Sequence, residues 1–300
     1  MTKNNRQFRE FLRDEVNLNQ GRLHRLQVRV RDVNRHLKRN LHGYQRIDRQ
    51  GSYGLDTLIK PVNEDDEYDA DIQVVMNPSP DWKAKDYLDA LRDTLAENHN
   101  LADKITIGTR CITLDYAGDF HLDVVPRVTR QDGHFICNRE KNCFEKTDGT
   151  GYRNWFSEQS RITKVNLKRA VRLLKFVRDR QDNYVAKSIL LTTLAGEAIH
   201  SSDRGEEAVR TVANTLTTIL TRMDRYLQRH EAMPEITNPA MPSENFNRHW
   251  TQDRYTYFRE RVHSHAQIAQ EALQSPSIEE SIRKWRRLLG DDFGKGRIRS

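Results

Sequence analysis

The sequence predicts an α+β protein, and three features of the chain lead to that prediction. Apolar residues recur at three- and four-residue steps over residues 23–41, which is the spacing of an amphipathic helix. Short β-rich stretches follow over residues 47–128, and almost every segment from Phe156 onward has helical spacing. We therefore expect two parts: an N-terminal helix with a sheet-containing core in residues 1–155, and an α-helical lobe in residues 156–300.

The elements can be assigned in order along the chain. The expected strands are 72–76, 105–116 and 120–128, the last two joined as a hairpin through Ala117-Gly118-Asp119, with one helix at 82–98 between the first and second. The polar stretch 131–151 is expected to be a loop. The remaining expected helices are 162–180, 185–200, 206–229, 246–274 and 278–289.

Composition limits the class of protein. No apolar run is long enough to cross a bilayer, and three cysteines in 300 residues do not form a secreted disulfide framework. We therefore expect a soluble, cytoplasmic protein. The net charge of +7 suits a polyanionic ligand, either nucleotide triphosphates or nucleic acid. His134, Cys137 and Cys143 lie close in sequence, but their number and spacing do not match a structural zinc site.

Three carboxylates are the strongest functional signal. Asp69 and Asp71 lie two residues apart in a predicted strand and therefore point to the same face. Asp123 lies in an apolar strand, where a carboxylate needs a cation or hydrogen-bond donors to offset its desolvation. Together the three would form an oxygen cage for Mg²⁺, with Mn²⁺ as an alternative, and would support phosphoryl transfer.

Two further groups of residues are candidates for binding a triphosphate. Gly51 and Ser52 form a small-residue turn 17 residues before the first acid, where the backbone can approach phosphates closely. Lys175 ends a stripe of basic residues on a predicted helix, and Ser188 begins the next helix. The rest of the stripe, which is Arg161, Lys164, Lys168 and Arg172, is expected to be a solvated basic face.

These residues and their surroundings resemble one branch of the nucleotidyltransferase superfamily, the bacterial cyclic-oligonucleotide synthases related to cyclic GMP-AMP synthase (CD-NTases). The resemblance covers most of the chain and is specific in combination. It rests on Gly51-Ser52-Tyr53-Gly54 with Glu67-Tyr68-Asp69-Ala70-Asp71, on Leu122-Asp123-Val124-Val125-Pro126, on Leu173-Leu174-Lys175 and Lys187-Ser188, on Asn238-Pro239 and Glu244-Asn245-Phe246-Asn247-Arg248, and on the tail Trp285-Arg286-Arg287-Leu288-Leu289-Gly290-Asp291-Asp292-Phe293. It departs from the family pattern at Tyr53 to Asp56, where smaller and basic residues are usual.

The resemblance implies a polymerase-β-like nucleotidyltransferase core with an N-terminal spine helix and a helical C-terminal lobe. It also implies an antiphage (CBASS) enzyme that joins ATP and other NTPs into cyclic di- or trinucleotides, which activate a downstream effector. By position, Asp69, Asp71 and Asp123 would be catalytic and metal-binding, while Gly51, Ser52, Lys175 and Ser188 would bind the nucleotide. A regulatory protein or a nucleic acid could act as activator, and residues 295–300 would be a candidate handle for such a partner.

Two other functions stay open at the level of sequence. The chain could transfer a nucleotide to a protein, a small molecule or an RNA end, or it could be a catalytically silent nucleotide- or RNA-binding relative. Three retained acids favour an active enzyme, because without a metal their mutual repulsion would be uncompensated.

Overall fold

The computed structural model describes residues 4–62, 67–181, 186–247 and 250–295. In chain order, the elements are α1 (Asn5–Phe11), α2 (Gln20–Asn40), β1 (Tyr44–Gln50), α3 (Gly51–Gly54), β2 (Tyr68–Met76), α4 (Ala84–Ala96), β3 (Ile105–Ile107), β4 (Ile112–Tyr116), β5 (Phe120–Arg130), β6 (Gly133–Asn138), β7 (Cys143–Thr147), α5 (Gly149–Ile162), α6 (Asn166–Asp179), α7 (Ser188–Glu197), α8 (Val212–Gln228), β8 (Thr237–Asn238), β9 (Met241–Asn245), α9 (Gln252–Gln274) and α10 (Ile278–Leu289). None of the described helices is both long enough and apolar enough to cross a membrane.

The chain divides into two compact units. The sheet unit comprises Leu18–Asp56 and Asn63–Gly151, and the helical unit comprises Met1–Asn17, Thr57–Val62 and Tyr152–Ser300. The boundary near residue 151 lies close to the predicted one at 155, but the chain start and the segment after Asp56 group with the later helices. One reason is a backbone bridge that joins Asn17 to Ile59 inside the helical unit.

The sheet unit is built on a mixed sheet of seven strands. The main order is β1-β2-β5-β4-β3, with β6 pairing the end of β5 and β7 pairing β6. Strands β2 and β5 are parallel, and every other pair in this sheet is antiparallel. One face of β2 and β5 is apolar and buried, while the other face carries alternating polar residues. Alternation of this kind separates a core face from a face available for chemistry.

The predicted spine helix is α2, which belongs to the sheet unit. The Asn19 side chain caps its first turn by accepting a hydrogen bond from the Arg22 amide at 2.7 Å. Leu26, Val33 and Leu37 are its fully buried residues, as the apolar spacing predicts.

In the helical unit, the core is formed mainly by α6, α8, α9 and α10 together with α1. Phe8 packs edge-on against Trp285, with ring centroids 5.0 Å apart, and Phe11 packs against Phe176 at 5.3 Å. Such aromatic pairs add stability beyond the buried area alone. These contacts explain why the start of the chain groups with the last helices.

Several sequence assignments differ from the structure. Strand β1 and most of helix α5 were not assigned, and the helices expected at 162–180 and 206–229 begin at Asn166 and Val212. The expected loop at 131–151 contains the β6–β7 hairpin, in which residues 134–137 pair with residues 144–147. The apolar and polar residues of this segment do not alternate clearly, so the sequence did not indicate a strand. The helix α5 begins within that same stretch, at Gly149. The single strand expected at 105–116 is two strands separated by a turn, and the helix expected from 246 begins at Gln252, after the Thr251 cap. Residues 296–300, which include most of the predicted partner handle, lie outside the described residues.

Candidate active site

The acidic residues lie on the polar face of the two parallel strands. Asp71 on β2 is directly paired with Asp123 on β5, and Asp69 is paired with His121. Paired residues on parallel strands point to the same face, so the carboxylates of Asp71 and Asp123 share that face as neighbours. Asp71 and Asp123 are half-buried, whereas the Asp69 side chain is 82% exposed.

The turn at Gly51 lies directly against this face. Gly51 follows Gln50, which pairs with Asp71 across β1 and β2, and it begins the short helix α3 with a φ of +55°. A Cβ at Gly51 would lie 2.1 Å from Oδ2 and 3.0 Å from Cγ of Asp71. The position therefore needs glycine for its left-handed backbone and for the close approach to the carboxylate. Ser52, in the same turn, is half-buried.

A threonine holds the Asp123 carboxylate. The Thr113 hydroxyl on β4 donates to Oδ1 of Asp123 at 2.5 Å, and the two residues are paired across β4 and β5. Cys111 lies nearby, and burial together with the Asp123 charge raises the pKa of its thiol to about 11. At neutral pH Cys111 is therefore a thiol rather than a thiolate. The hydrogen bond from Thr113 restricts the rotation of the Asp123 carboxylate.

Asp69 has a different environment. The imidazole of His121 places Nδ1 3.5 Å from Asp69 Oδ1 and Nε2 2.8 Å from Glu67 Oε2. Among the described residues, Glu67, Asp115 and His121 form a compact group of potential metal ligands. Their ligand atoms all lie within 4.8 Å of one another. Asp69, Asp71 and Asp123 share a face, but their carboxylate oxygens do not all lie within that distance of one another.

Farther along the same face, a buried ion pair supports the strands. Arg127 is 1% exposed and donates to Asp48 Oδ2 at 2.6 Å and to Gln73 Oε1 at 2.9 Å. Burial alone would raise the pKa of Asp48, but the contacts from Arg46 and Arg127 lower it overall. This network links β1, β2 and β5, the strands that carry the turn and the acids.

The other two predicted nucleotide-binding residues lie in the helical unit. Lys175 is 2% exposed, and its ammonium donates to the Thr57 carbonyl at 3.1 Å and to the Thr57 hydroxyl at 3.3 Å. The Ser188 hydroxyl, at the start of α7, accepts a hydrogen bond from Arg178 at 3.0 Å. Of the rest of the basic stripe, Arg161 and Lys164 are exposed as expected for a solvated face. Lys168 and Arg172 are instead half-buried, and Arg172 donates to Asn17 Oδ1.

Sequence reasoning did not identify Thr113, His121, Glu67 or Arg127 as parts of this face. A usable signal existed for His121 and Glu67, because each lies two residues before an acid in a strand and so shares its face. No such local signal pointed to Thr113, which reaches Asp123 only through the pairing of β4 with β5.

The residues on this face fit a hard divalent cation. Mg²⁺ is bound through one or two carboxylates together with substrate phosphates, and the Asp71–Asp123 pair with Asp69 beside it provides carboxylates on one face. The glycine at position 51 keeps a side chain out of the space against Asp71. By contrast, His134, Cys137 and Cys143 do not form a group with metal-ligand spacing among the described residues.

Comparison with known proteins shows which families and folds this chain resembles. Residues 1–160 match the Second Messenger Oligonucleotide or Dinucleotide Synthetase (SMODS) domain. A c-di-GMP synthase from Roseivirga ehrenbergii is 24% identical over 277 residues, which cover 81% of this chain and 72% of that protein. The cyclic dinucleotide synthase CdnG from Bradyrhizobium diazoefficiens is 41% identical over 81 residues, or 27% of this chain and 19% of that protein.

Solved structures with a similar fold cover almost the whole chain. CdnG from B. diazoefficiens in complex with GTP has a TM-score of 0.74 at 21% identity and covers 96% of this chain and 95% of its own. CdnC from E. coli MS115-1 with ATP has a TM-score of 0.73 at 18% identity, with 96% and 98% covered. The same CdnC in complex with HORMA-deltaN has a TM-score of 0.74 at 17% identity, with 97% and 98% covered.

At these identities the structural likeness establishes the α+β, polymerase-β-like nucleotidyltransferase fold, while the domain match extends over more than half of the sequence. The family expected from the sequence is thereby confirmed. The chain belongs to the Second Messenger Oligonucleotide or Dinucleotide Synthetase family, the bacterial CD-NTases.

Proposed function

We propose that this chain joins NTPs into a cyclic di- or trinucleotide second messenger and releases pyrophosphate. The observation that supports this proposal most directly is the Asp71–Asp123 pair on parallel strands, with the Gly51 turn packed against Asp71. In each transfer, a ribose hydroxyl oxygen bonds to the α-phosphorus of an NTP as the bond from that phosphorus to the pyrophosphate oxygen breaks. A second transfer within the linear product closes the ring.

Each candidate site residue of the sheet unit has a role in this proposal. Asp69, Asp71 and Asp123 would hold Mg²⁺, or Mn²⁺ in its place, which when bound supplies Lewis-acid stabilisation of the phosphate oxygens. Asp123, fixed by Thr113 through Oδ1, accepts the proton of the attacking hydroxyl. The turn of Gly51 and Ser52 provides small residues and a hydroxyl for the triphosphate.

Two residues of the helical unit have nucleotide-binding roles that the family pattern implies. Lys175 provides a buried positive charge for the triphosphate, held in place by Thr57. Ser188 accepts a hydrogen bond from Arg178 and so keeps its own proton available for a phosphate oxygen. Both roles come from the family pattern.

The biological setting follows from the family. We propose cytoplasmic antiphage signalling in which the cyclic product activates a separate effector. CdnC, which shares this fold, forms a complex with a HORMA protein. A regulatory protein partner is therefore the first kind of activator to test here, followed by nucleic acid.

The test is product analysis. The purified chain is incubated with all four α-labelled NTPs and Mg²⁺, treated with phosphatase, and its products are separated. We expect label in a phosphatase-resistant oligonucleotide, lost in Asp71→Asn and Asp69→Asn at unchanged melting temperature. Omitting NTPs singly then identifies the bases. Undiminished product from the Asp69→Asn, Asp71→Asn double variant would refute the assignment, and label appearing only on an added protein or RNA acceptor would favour a transferase.

A further inference from the structure

The sheet unit contains a cavity that lies away from the acidic face. Its volume is about 580 Å³, and it is lined by residues of α2, by residues between 98 and 104, and by Tyr116 of β4. Tyr116 and Thr113 lie three residues apart on β4, so their side chains point to opposite faces of the sheet. Thr113 faces Asp123. The cavity is therefore on the other side of the sheet from the candidate active site.

The lining of this cavity has an excess of positive charge. It contains one carboxylate, Asp32, and four cationic side chains, which are Arg29, Arg35, Arg39 and Lys104. Asp32 pairs with Arg35 at 3.1 Å, and Lys104 pairs with a neighbouring aspartate at 2.8 Å. Arg29 and Arg39 form no ion pair with any described residue. Two guanidinium groups without a carboxylate partner, on one concave surface, favour an anionic ligand with several acceptor oxygens.

Tyr116 adds a buried donor to the cavity. It is 9% exposed, and its hydroxyl is buried without a hydrogen-bond partner among the described residues. The Arg29 guanidinium lies over its ring, 5.4 Å from the centroid, so the ring faces α2 across the cavity. Burial raises the pKa of Tyr116 to about 12, so the hydroxyl keeps its proton at neutral pH and can donate to an anion. A buried hydroxyl without an acceptor is unfavourable, and a ligand oxygen would supply the acceptor.

We propose that this cavity binds a nucleotide through its phosphate groups. Its volume lies within the range of about 300–1,000 Å³ that small-molecule sites occupy. Arg29 and Arg39 would contact phosphate oxygens, and the Tyr116 hydroxyl would donate to one of them. The amides of Asn98 and Asn100, which also line the cavity, offer the donors and acceptors that a base edge requires. A nucleic-acid duplex would instead need a more extended basic surface.

The experiment is equilibrium dialysis of the full chain against labelled ATP and, separately, against labelled cyclic di-GMP. These probes represent the two kinds of nucleotide that carry this chemistry, a nucleoside triphosphate and a cyclic dinucleotide. EDTA is present, because binding at the acids is expected to depend on a divalent cation. Each isotherm then gives the affinity and the number of probe molecules bound per chain.

The cavity variant combines Arg29→Gln with Arg39→Gln. Its matched control combines Arg31→Gln with Lys38→Gln, which removes two charges from exposed positions of the same helix that do not line the cavity. We expect the cavity variant to lose about 10- to 100-fold in affinity for at least one probe, as for hydrogen bonds to charged groups. The control should stay within about twofold of the unmodified chain. Tyr116→Phe removes only the hydroxyl and should weaken binding of the same probe about tenfold without lowering the melting temperature.

A loss of affinity for ATP alone, for cyclic di-GMP alone or for both would support the site and identify its ligand. Equal losses in the cavity variant and in the control would mean a non-specific attraction to a basic helix, and would overturn the inference. Absence of binding, or binding that is insensitive to both the cavity variant and Tyr116→Phe, would overturn it as well. If the double arginine variant does not fold, Tyr116→Phe decides in its place.

Asp71→Asn separates this inference from the proposed function, on which it does not depend. That variant should abolish product formation and leave the affinity of the cavity unchanged, since Asp71 shares the opposite face of the sheet with Asp123. Loss of the EDTA-resistant binding in Asp71→Asn would place the probe at the acids and contradict the cavity site. Product formation retained in Asp71→Asn would contradict only the proposed function.

Discussion

Replacing Gly51 by alanine tests the site most directly. The new Cβ would lie 2.1 Å from Oδ2 of Asp71, a separation that atoms cannot adopt, so the carboxylate has to rotate away. The left-handed φ of +55° adds roughly 1–2 kcal/mol against alanine. Since a catalytic group displaced by about 1 Å can lose about 100-fold in rate, we expect turnover to fall about 100-fold.

The matched control is Gly205→Ala in the helical unit. Gly205 also has a positive φ, of +87°, but a Cβ there would meet no atom within 4 Å. Both variants should lose a similar, small amount of stability, and only Gly51→Ala should lose activity. The measurements are NTP turnover at saturating Mg²⁺ and the free energy of unfolding by denaturant. Full turnover in Gly51→Ala, or equal activity losses in the two variants, would refute the argument that Asp71 needs glycine at position 51.

Three further predictions concern single side chains. Thr113→Val removes the donor to Asp123 and should lower kcat about tenfold or more. Thr113→Ser keeps the hydroxyl and should keep most of the kcat; equal kcat values in the two variants would contradict the role of Thr113. Lys175→Met should raise the KM for NTP about 10- to 100-fold, and by more than Thr57→Val does. If Lys175→Met lowers the melting temperature but leaves the KM unchanged, Lys175 is purely structural. Burial lowers the pKa of His265 to about 4 from 6.5. The unfolded chain therefore binds this proton first, and the free energy of unfolding should fall by up to about 1.4 kcal/mol per unit as pH drops from 6.5 toward 4. When the free energy of unfolding of His265→Leu is measured by denaturant titration at several pH values, its dependence on pH should lack this contribution.

Much of the fold was predictable because its signals are local. The apolar spacing of α2 and the Asn19 cap identify a helix from neighbouring residues alone, and the structure places Leu26, Val33 and Leu37 in the core. The hairpin from 133 to 147 was not predicted, since its strands are short and lie in a stretch rich in Asp, Gly, Asn and Lys. Strand β6 is stabilised by pairing with β5, and β7 by pairing with β6; sequence periodicity does not report such pairing.

The sequence by itself determined the chemistry that the site can perform. The two-residue period of a strand places Asp69 and Asp71 on one face, whatever the strand pairs with. Glycine at 51 and the surrounding motifs were enough to indicate the family. These are properties of residue type and short-range spacing, and folding does not change them.

Only the tertiary structure decided which side chains meet on that face. The parallel register of β2 and β5 sets Asp71 beside Asp123 and Asp69 beside His121, across about fifty residues of chain. The antiparallel register of β4 with β5 brings Thr113 to Asp123. A register shift of one residue would move these side chains to the other face of the sheet and change every one of these pairs. Register is set by sheet pairing and core packing rather than by local sequence.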